Sequence, residues 1–466
     1  MKKILSTVAA LGLVAGMATA AQALEFSVSG YYFVEGTYLS SGDGTGVVTT
    51  SDADKILGVK TGTNVTGLVS GVTIDKDVNG NDAYWDHEFV IRPAMKVNDK
   101  IAMKAKIYLA TDKFGDDAAA SAWGSDGDSI NFHHLFMEYT SPIGMLRVGR
   151  TSAALWQGDF LNTDANANRI MYFPNFLPKP LSACVFIQKS SEGDSVAGND
   201  LVDQDSDLYE ASAWYKTKNL VAALAYDFYD FGNVATADST RHRVKGYYNQ
   251  NVGNFYGEME FSYDWGTIDD DAIGVKDIDI STLAVMADVG MTIAKLDVGM
   301  LFFYASGDDD TSDNDRESAM TYVYGGHLGE QFQPYQILNG RHSGMMSSDF
   351  NGFNADMALA GVMSLGVHAD FAVTDKISLH SAVAYAMADV DEWTIAPGVT
   401  LDIEEDYGWE IDLGASYKLM DNLTYSVDFG YLIAGDFFEG YSYLGVGSDA
   451  SAEDVYVVNH RLSMEF

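Results

Sequence analysis

The residues of this chain that could do chemistry fall into a few sets. Two stretches carry a Gly-Asp-Ser triplet, Gly127 to Ile130 and Gly193 to Val196. A hydrolytic serine needs an oxyanion hole and a histidine beside it. Both triplets lie in Gly- and Asp-rich stretches with no helical periodicity after them, so Ser129 and Ser195 lack an element to position a nucleophile. His133 and His134, and His87 beside Glu88, stand in strand-like segments with no serine and acid arranged around them. Acids cluster at Asp309, Asp313 and Asp315 and again at Asp269 to Asp271, but neither run has the spacing of a calcium loop. Such runs read as solvated, mutually repelling loops, with loose divalent-cation binding as the alternative and no resident cofactor expected. The single cysteine, Cys184, excludes an internal disulfide, a CxxC metal knuckle and a CxxCH haem attachment.

What remains is charge. The chain carries 28 Lys and Arg against 67 Asp and Glu, a net charge of -39, which argues against nucleic acid as a partner. The bases occur at alternate positions. In "IAMKAKIYLA" Lys104 and Lys106 oppose Ile101, Met103, Ala105, Ile107 and Leu109; in "RHRVKGYY" Arg241, Arg243 and Lys245 oppose Val244, Gly246 and Tyr248. Arg147 opposes Leu146 and Val148, and Arg92 and Arg169 extend the set. Only a strand sorts side chains with period two.

The same alternation runs through the chain in segments of roughly 10–14 residues separated by connectors. It is clearest at Trp409, Ile411, Leu413, Ala415, Tyr417 and Leu419, facing away from Glu410, Asp412, Ser416 and Lys418. In the next segment Leu423, Tyr425, Val427, Phe429 and Tyr431 face away from Thr424, Ser426, Asp428 and Gly430. A soluble sandwich would turn the apolar face into a core; a membrane barrel would turn it to lipid and line a lumen with the polar one.

Connector length separates the two. Short turns such as Val97 to Lys100, Thr140 to Gly144, Thr217 to Asn219 and Met420 to Asn422 alternate with long, acidic, Gly-rich connectors such as Ser40 to Ala83 and Ser306 to Ala355. A barrel with two unlike sides requires that alternation, and a sandwich does not. The expected fold is therefore all-β: a transmembrane antiparallel β-barrel of about 18 strands, with short periplasmic turns and long extracellular loops. Dropping a weak strand near Asn168 to Phe173 and its neighbour gives 16 as the alternative. The aromatic groups Tyr31, Tyr32 and Tyr38, Tyr84 and Trp85, Tyr226, Phe228 and Tyr229, and Tyr247 and Tyr248 are expected to form interfacial girdles. Lys2 and Lys3, an apolar run and an A-x-A site mark residues 1–23 as a secretory signal peptide, leaving 24–466 as the barrel. Its removal takes two lysines and no acid, so a charge of -39 becomes -41.

The chain resembles the outer-membrane porins of Gram-negative bacteria over its mature length. The stretch "LRVGRTSAALWQGDFLNTDANANRI", Leu146 to Ile170, looks like the entry to a porin constriction loop, with a Gly-Arg strand end and a W-x-G-D-F pattern. The resemblance implies that the third loop, 151–167, folds into the lumen. Asp159, Asp164 and Trp156 would then narrow the pore opposite Arg147 and Arg169, with Arg92, Lys104, Lys106, Arg241, Arg243 and Lys245 along the wall. It also implies that Phe466, a terminal aromatic after alternating apolar residues, is the signal read by the barrel assembly machinery. Expected partners are outer-membrane lipid and lipopolysaccharide, two further copies in a homotrimer, and small hydrophilic solutes and ions. The expected function is a passive, cation-preferring channel in the outer membrane. A substrate-selective channel, a structural or sheath barrel, and an outer-membrane hydrolase are the alternatives.

Overall fold

The computed structural model describes residues 24–41, 47–49, 72–74, 82–114, 130–152, 156–161, 166–191, 205–231, 237–270, 277–310, 313–319, 332–338, 359–396, 399–439 and 454–466. The proposed signal peptide, Asp164, Ser129 and Ser195 lie outside them. Eighteen long strands form one closed antiparallel barrel. In chain order they are β1 (Glu25–Ser41), β2 (Asp82–Asn98), β3 (Ile101–Lys113), β4 (Asn131–Ser141), β5 (Gly144–Ser152), β6 (Asn166–Pro174), β7 (Leu181–Ser191), β8 (Ser206–Lys216) and β9 (Leu220–Phe231). The second half comprises β10 (Ala237–Val252), β11 (Phe255–Asp270), β12 (Ile278–Ile293), β13 (Leu296–Ala305), β14 (Val362–Ala372), β15 (Ile377–Met387), β16 (Asp406–Met420), β17 (Leu423–Ala434) and β18 (Val455–Glu465).

Each strand pairs with its sequence neighbours, and β18 pairs with β1 through Tyr31↔Glu465 to Ser41↔Val455. Gly30 and Phe466 complete the seam by exchanging N–H···O bonds of 2.9 and 3.0 Å. The final residue therefore closes the ring and leaves no free edge. The strand near Asn168 is real, so the 16-strand alternative is set aside: β6 pairs with β5 over nine residues, from Gly144↔Pro174 to Ser152↔Asn166.

Alternation sorts the two faces as period two demands. Trp409, Ile411 and Leu413 are exposed outward, while Glu410 and Asp412 between them are buried inward. The same rule corrects the aromatic girdle, because neighbours along a strand cannot share a face. Tyr32, Trp85, Tyr226 and Tyr248 point outward. Tyr31 instead donates to Glu88 inside, and Tyr247 is buried against Trp156. Tyr229 lies under Arg241, and Tyr84 takes the inward parity, opposite Thr37.

One end of the barrel holds the start of β1, the end of β18 and only short connections. The turn between β12 and β13 consists of Ala294 and Lys295, with Ala294 at φ 57°, a conformation that costs a non-glycine residue strain. With no Gly, Asn or Asp, it has no local turn signature. At the equivalent turn between β10 and β11 the residue at φ 62° is Gly253, which meets the same demand without a Cβ. All long connections leave the opposite end.

Candidate functional site: a lumen entered by two loops

The third loop reaches inside. Glu260 of β11 faces inward and is almost fully buried. Its carboxylate accepts the indole N–H of Trp156 at 2.8 Å and the backbone N–H groups of Phe160 and Leu161 at 2.9 and 3.2 Å. A carboxylate on the inner wall can be met only by a segment within the barrel. The W-x-G-D-F pattern now has a physical reading. Trp156 supplies a donor, and Gly158 leaves room for the carboxylate, since a Cβ there would lie 2.1 Å from Glu260 Oε1. Phe160 turns into an aromatic cluster with Phe303 of β13, ring centroids 6.3 Å apart.

A second insert, absent from the sequence reading, comes from the long connection between β13 and β14. Gln336, Ile337 and Leu338 donate their backbone N–H groups to Glu410 of β16 at 2.9, 2.6 and 2.7 Å. Asn459 of β18 donates to Gln336 Oε1 at 3.2 Å, and Tyr335 lies over Gly366 of β14. The two inserts touch: Phe332 stands edge-on to Phe160 with centroids 5.0 Å apart, and both pack against Phe303. The signal available in the sequence was the apolar, aromatic run from Phe332 to Leu338 within an otherwise Gly- and Asp-rich loop.

Each insert is thus held by one wall carboxylate receiving three donors. A hydrogen bond to a charged group contributes about 1.5–3 kcal/mol, and a buried carboxylate without donors would be far costlier than a buried amide.

The predicted bases occupy the inner wall, and most are tied to acids on it. Glu138 holds both Arg147, at 2.7 Å, and Lys104, at 2.8 Å. Arg243 meets Asp264 at 2.9 Å, with Arg241 at 3.6 Å from the same carboxylate. Lys245 lies 3.0 Å from Asp227 and 3.2 Å from Glu210. Arg461, which the sequence reading left out of the wall set, pairs with Glu35. The bases also lie over aromatic rings: Arg92 over Tyr31, Lys106 over Tyr108, Arg147 over Phe136, Arg241 over Tyr229 and Lys245 over Trp156.

The constriction expected from the resemblance is brought together only in part. Trp156 is in the lumen with Lys245 above its ring, 5.3 Å from the centroid. Arg169 bonds Gln188 and the carbonyl of Thr151, so it fixes the root of the loop rather than its tip. Arg147 sits three residues from the turn between β4 and β5, engaged by Glu138, and does not face the insert. Asp159 faces acids rather than bases, its charge interacting with that of Glu258. It is exposed to the lumen, yet the surrounding wall removes enough water to raise its pKa above the ordinary aspartate range.

The reason is a segregation of charge around the wall. Lys418 is the only Lys or Arg in strands β11 to β17, whereas β2 to β10 carry nearly all the strand bases. Both inserts are pinned to carboxylates of the acidic half, the third loop at its border with β10, where Trp156 meets Tyr247 and Lys245.

The acidic connection after β13 is locally ordered by its own backbone. Asp313 accepts from Asp315 N at 2.7 Å and Asp308 from Glu317 N at 3.4 Å. Burial, with neighbouring acids, raises the pKa of Glu317. Among the described residues no group of three or more His, Cys, Asp and Glu side chains is placed to hold a metal ion. His133, offered as a strand histidine near the interface, is buried against Asn166, with ring nitrogens 2.6 and 2.9 Å from its amide.

No family model matches the chain, and no curated protein matches it in sequence. Solved structures match it throughout. A double variant of OccD1 (OprD) superposes with a TM-score of 0.52 at 12% identity, covering 96% of this chain and 97% of its own. Pseudomonas aeruginosa OccK8 (OprE) gives 0.50 at 10% identity, covering 94% and 98%. A BenF-like porin from Pseudomonas fluorescens Pf-5 gives 0.50 at 10%, covering 94% and 99%. At such identities the likeness is one of fold: the chain is a porin-like β-barrel.

Proposed function

We propose that this protein is an outer-membrane channel through which small hydrophilic solutes and ions diffuse passively, with a preference for cations. The observation that carries the reading is the lumen: a closed wall, apolar outside and charged inside, narrowed by two loop segments pinned to Glu260 and Glu410. A sheath or purely structural barrel has no need of such inserts. The similar structures include the outer membrane protein opdK from Pseudomonas aeruginosa and the BenF-like porin, which agrees with that placement. Cation preference follows from the charge balance, since the acidic half of the wall lacks bases and the loops add to a net charge of -39. Export by the N-terminal signal, recognition of Phe466 during assembly, contact with lipid and lipopolysaccharide, and a homotrimeric state belong to the same reading.

A second reading, a channel selective for particular substrates, is favoured by one observation. Two inserts meeting at Phe160 and Phe332 leave less free lumen than one would. Liposome swelling separates the two. Purified protein in phosphatidylcholine vesicles should admit small sugars and amino acids at rates that fall smoothly with solute size under the first reading, and only a chemically related subset under the second. Vesicles that admit no solute and no ions would contradict both.

A further inference from the structure

Two histidines of the lumen are seated in the same way. His368 of β14 reaches across β13 to Asp288 of β12, Nε2 to Oδ1 3.0 Å. His380 of β15 reaches across β16 to Asp428 of β17 at 2.8 Å. The strand crossed offers a glycine each time. A Cβ at Gly299 would lie 2.4 Å from His368 Nε2, and one at Gly414 would lie 1.9 Å from His380 Nε2. Any other residue at either position would collide with the imidazole, so each bridge depends on a glycine in the intervening strand.

Around these rings the inner wall is acidic. Asp370 lies directly opposite His380 in register and on the same strand and face as His368, and Asp297 opposes Asp370. Asp288 and Glu258 oppose each other, the Tyr256 hydroxyl overlies Gly299, and Asp412 stands beside Asp428 from β16. Apart from Lys418 near a turn, these strands have no Lys or Arg. Among the residues of these strands, the imidazoles are therefore the groups that can become positive above the turns.

We infer that His368 and His380 are selectivity-determining residues that set how strongly this half of the lumen attracts cations. The inference rests on the channel reading above. A neutral imidazole leaves the charges of Asp288, Asp297, Asp370 and Asp428 facing the passage. A protonated one offsets its partner, and an ordinary histidine changes charge near pH 6.5, between the conditions compared below. Cation preference falls as pH falls, because each proton taken up adds a positive charge beside the ion path.

The test is the reversal potential of the full-length mature protein in a planar bilayer across a KCl gradient at low salt, at pH 7.5 and pH 5.5. For the wild type the K⁺ to Cl⁻ permeability ratio should drop about two- to five-fold, the effect expected of unit charges within 4–8 Å of a permeating ion in water. In the H368N/H380N variant the ratio should stay constant. H380N alone should keep roughly half the shift, and provides the comparison if the double variant does not fold. A wild-type ratio unchanged with pH, or a shift that persists in the double variant, would overturn the inference while leaving the channel in place. A folded barrel that conducts no ions at either pH would overturn the channel reading and this inference with it.

Discussion

The indole N–H of Trp156 donates a 2.8 Å hydrogen bond to the carboxylate of Glu260, across 104 residues of chain. With Phe160 N and Leu161 N on the same carboxylate, this contact decides where the third loop lies. Glu260→Gln keeps the size but gives up the charge, and its amide N–H₂ replaces one of the two accepting oxygens, so at least one of the three donors loses its acceptor. The insert should loosen, raising single-channel conductance and adding flicker, while the closed barrel is still expected to resist SDS before heating. Unchanged conductance in the folded variant would mean that the insert does not limit the pore.

Glu410→Gln should do the same to the second insert, through Gln336, Ile337 and Leu338. Because Phe160 and Phe332 are in contact, the two substitutions should not act independently. The conductance change of the double variant is expected to differ from the combined single changes. In a Phe332→Ala background the two effects should become additive, which recording the four variants with and without that change would reveal.

The outward face faces lipid in this account, and Leu413 is exposed at the middle of β16, opposite Phe429 of β17. Leu413→Arg should destabilise the folded barrel in a bilayer by about 2–4 kcal/mol, the cost of a base near the midplane. Leu413→Phe should be nearly neutral. Equilibrium unfolding in lipid vesicles measures both, and a negligible arginine cost would place this face away from lipid.

Selectivity should depend on salt and on Asp159. Charges at the loop end act over about 30 Å at 0.01 M salt and about 8 Å at physiological ionic strength, so cation preference should weaken as salt rises. Asp159→Asn removes a charge inside the lumen and should lower the preference further at pH 7. Because partial burial raises the Asp159 pKa, the carboxyl takes up its proton at a higher pH than an ordinary aspartate as the solution is acidified. The difference between wild type and variant should therefore be full at neutral pH and vanish on the acid side. A difference that persists at pH 3 would assign the effect to something other than the Asp159 charge.

Much of this architecture is legible in the residues, for identifiable reasons. Period-two sorting puts Arg241, Arg243 and Lys245 on the inner face because a pleated strand leaves them no other side, and the register of β10 agrees. The turn at Ala294 was not legible, since its positive φ is imposed by the hairpin rather than by a permissive residue. The partner of the third loop was not legible either. Trp156 and Glu260 are far apart in sequence, and parity says that Glu260 faces inward without saying what it meets. Parity could not place Asp159 beside Glu258, because that neighbour follows from the pinning of the loop to β11, a strand without Lys or Arg. The insert at 332–338 needed the closed ring before its apolar run had a lumen to enter.

On the channel reading, the inserts narrow a continuous aqueous passage rather than seal it. Single-channel recording of the purified, folded protein in a planar bilayer distinguishes the two. Discrete, uniform conductance steps are expected in symmetric KCl, growing with salt and larger in Glu260→Gln. Folded protein that inserts into the bilayer yet produces no steps would show a sealed barrel and contradict it.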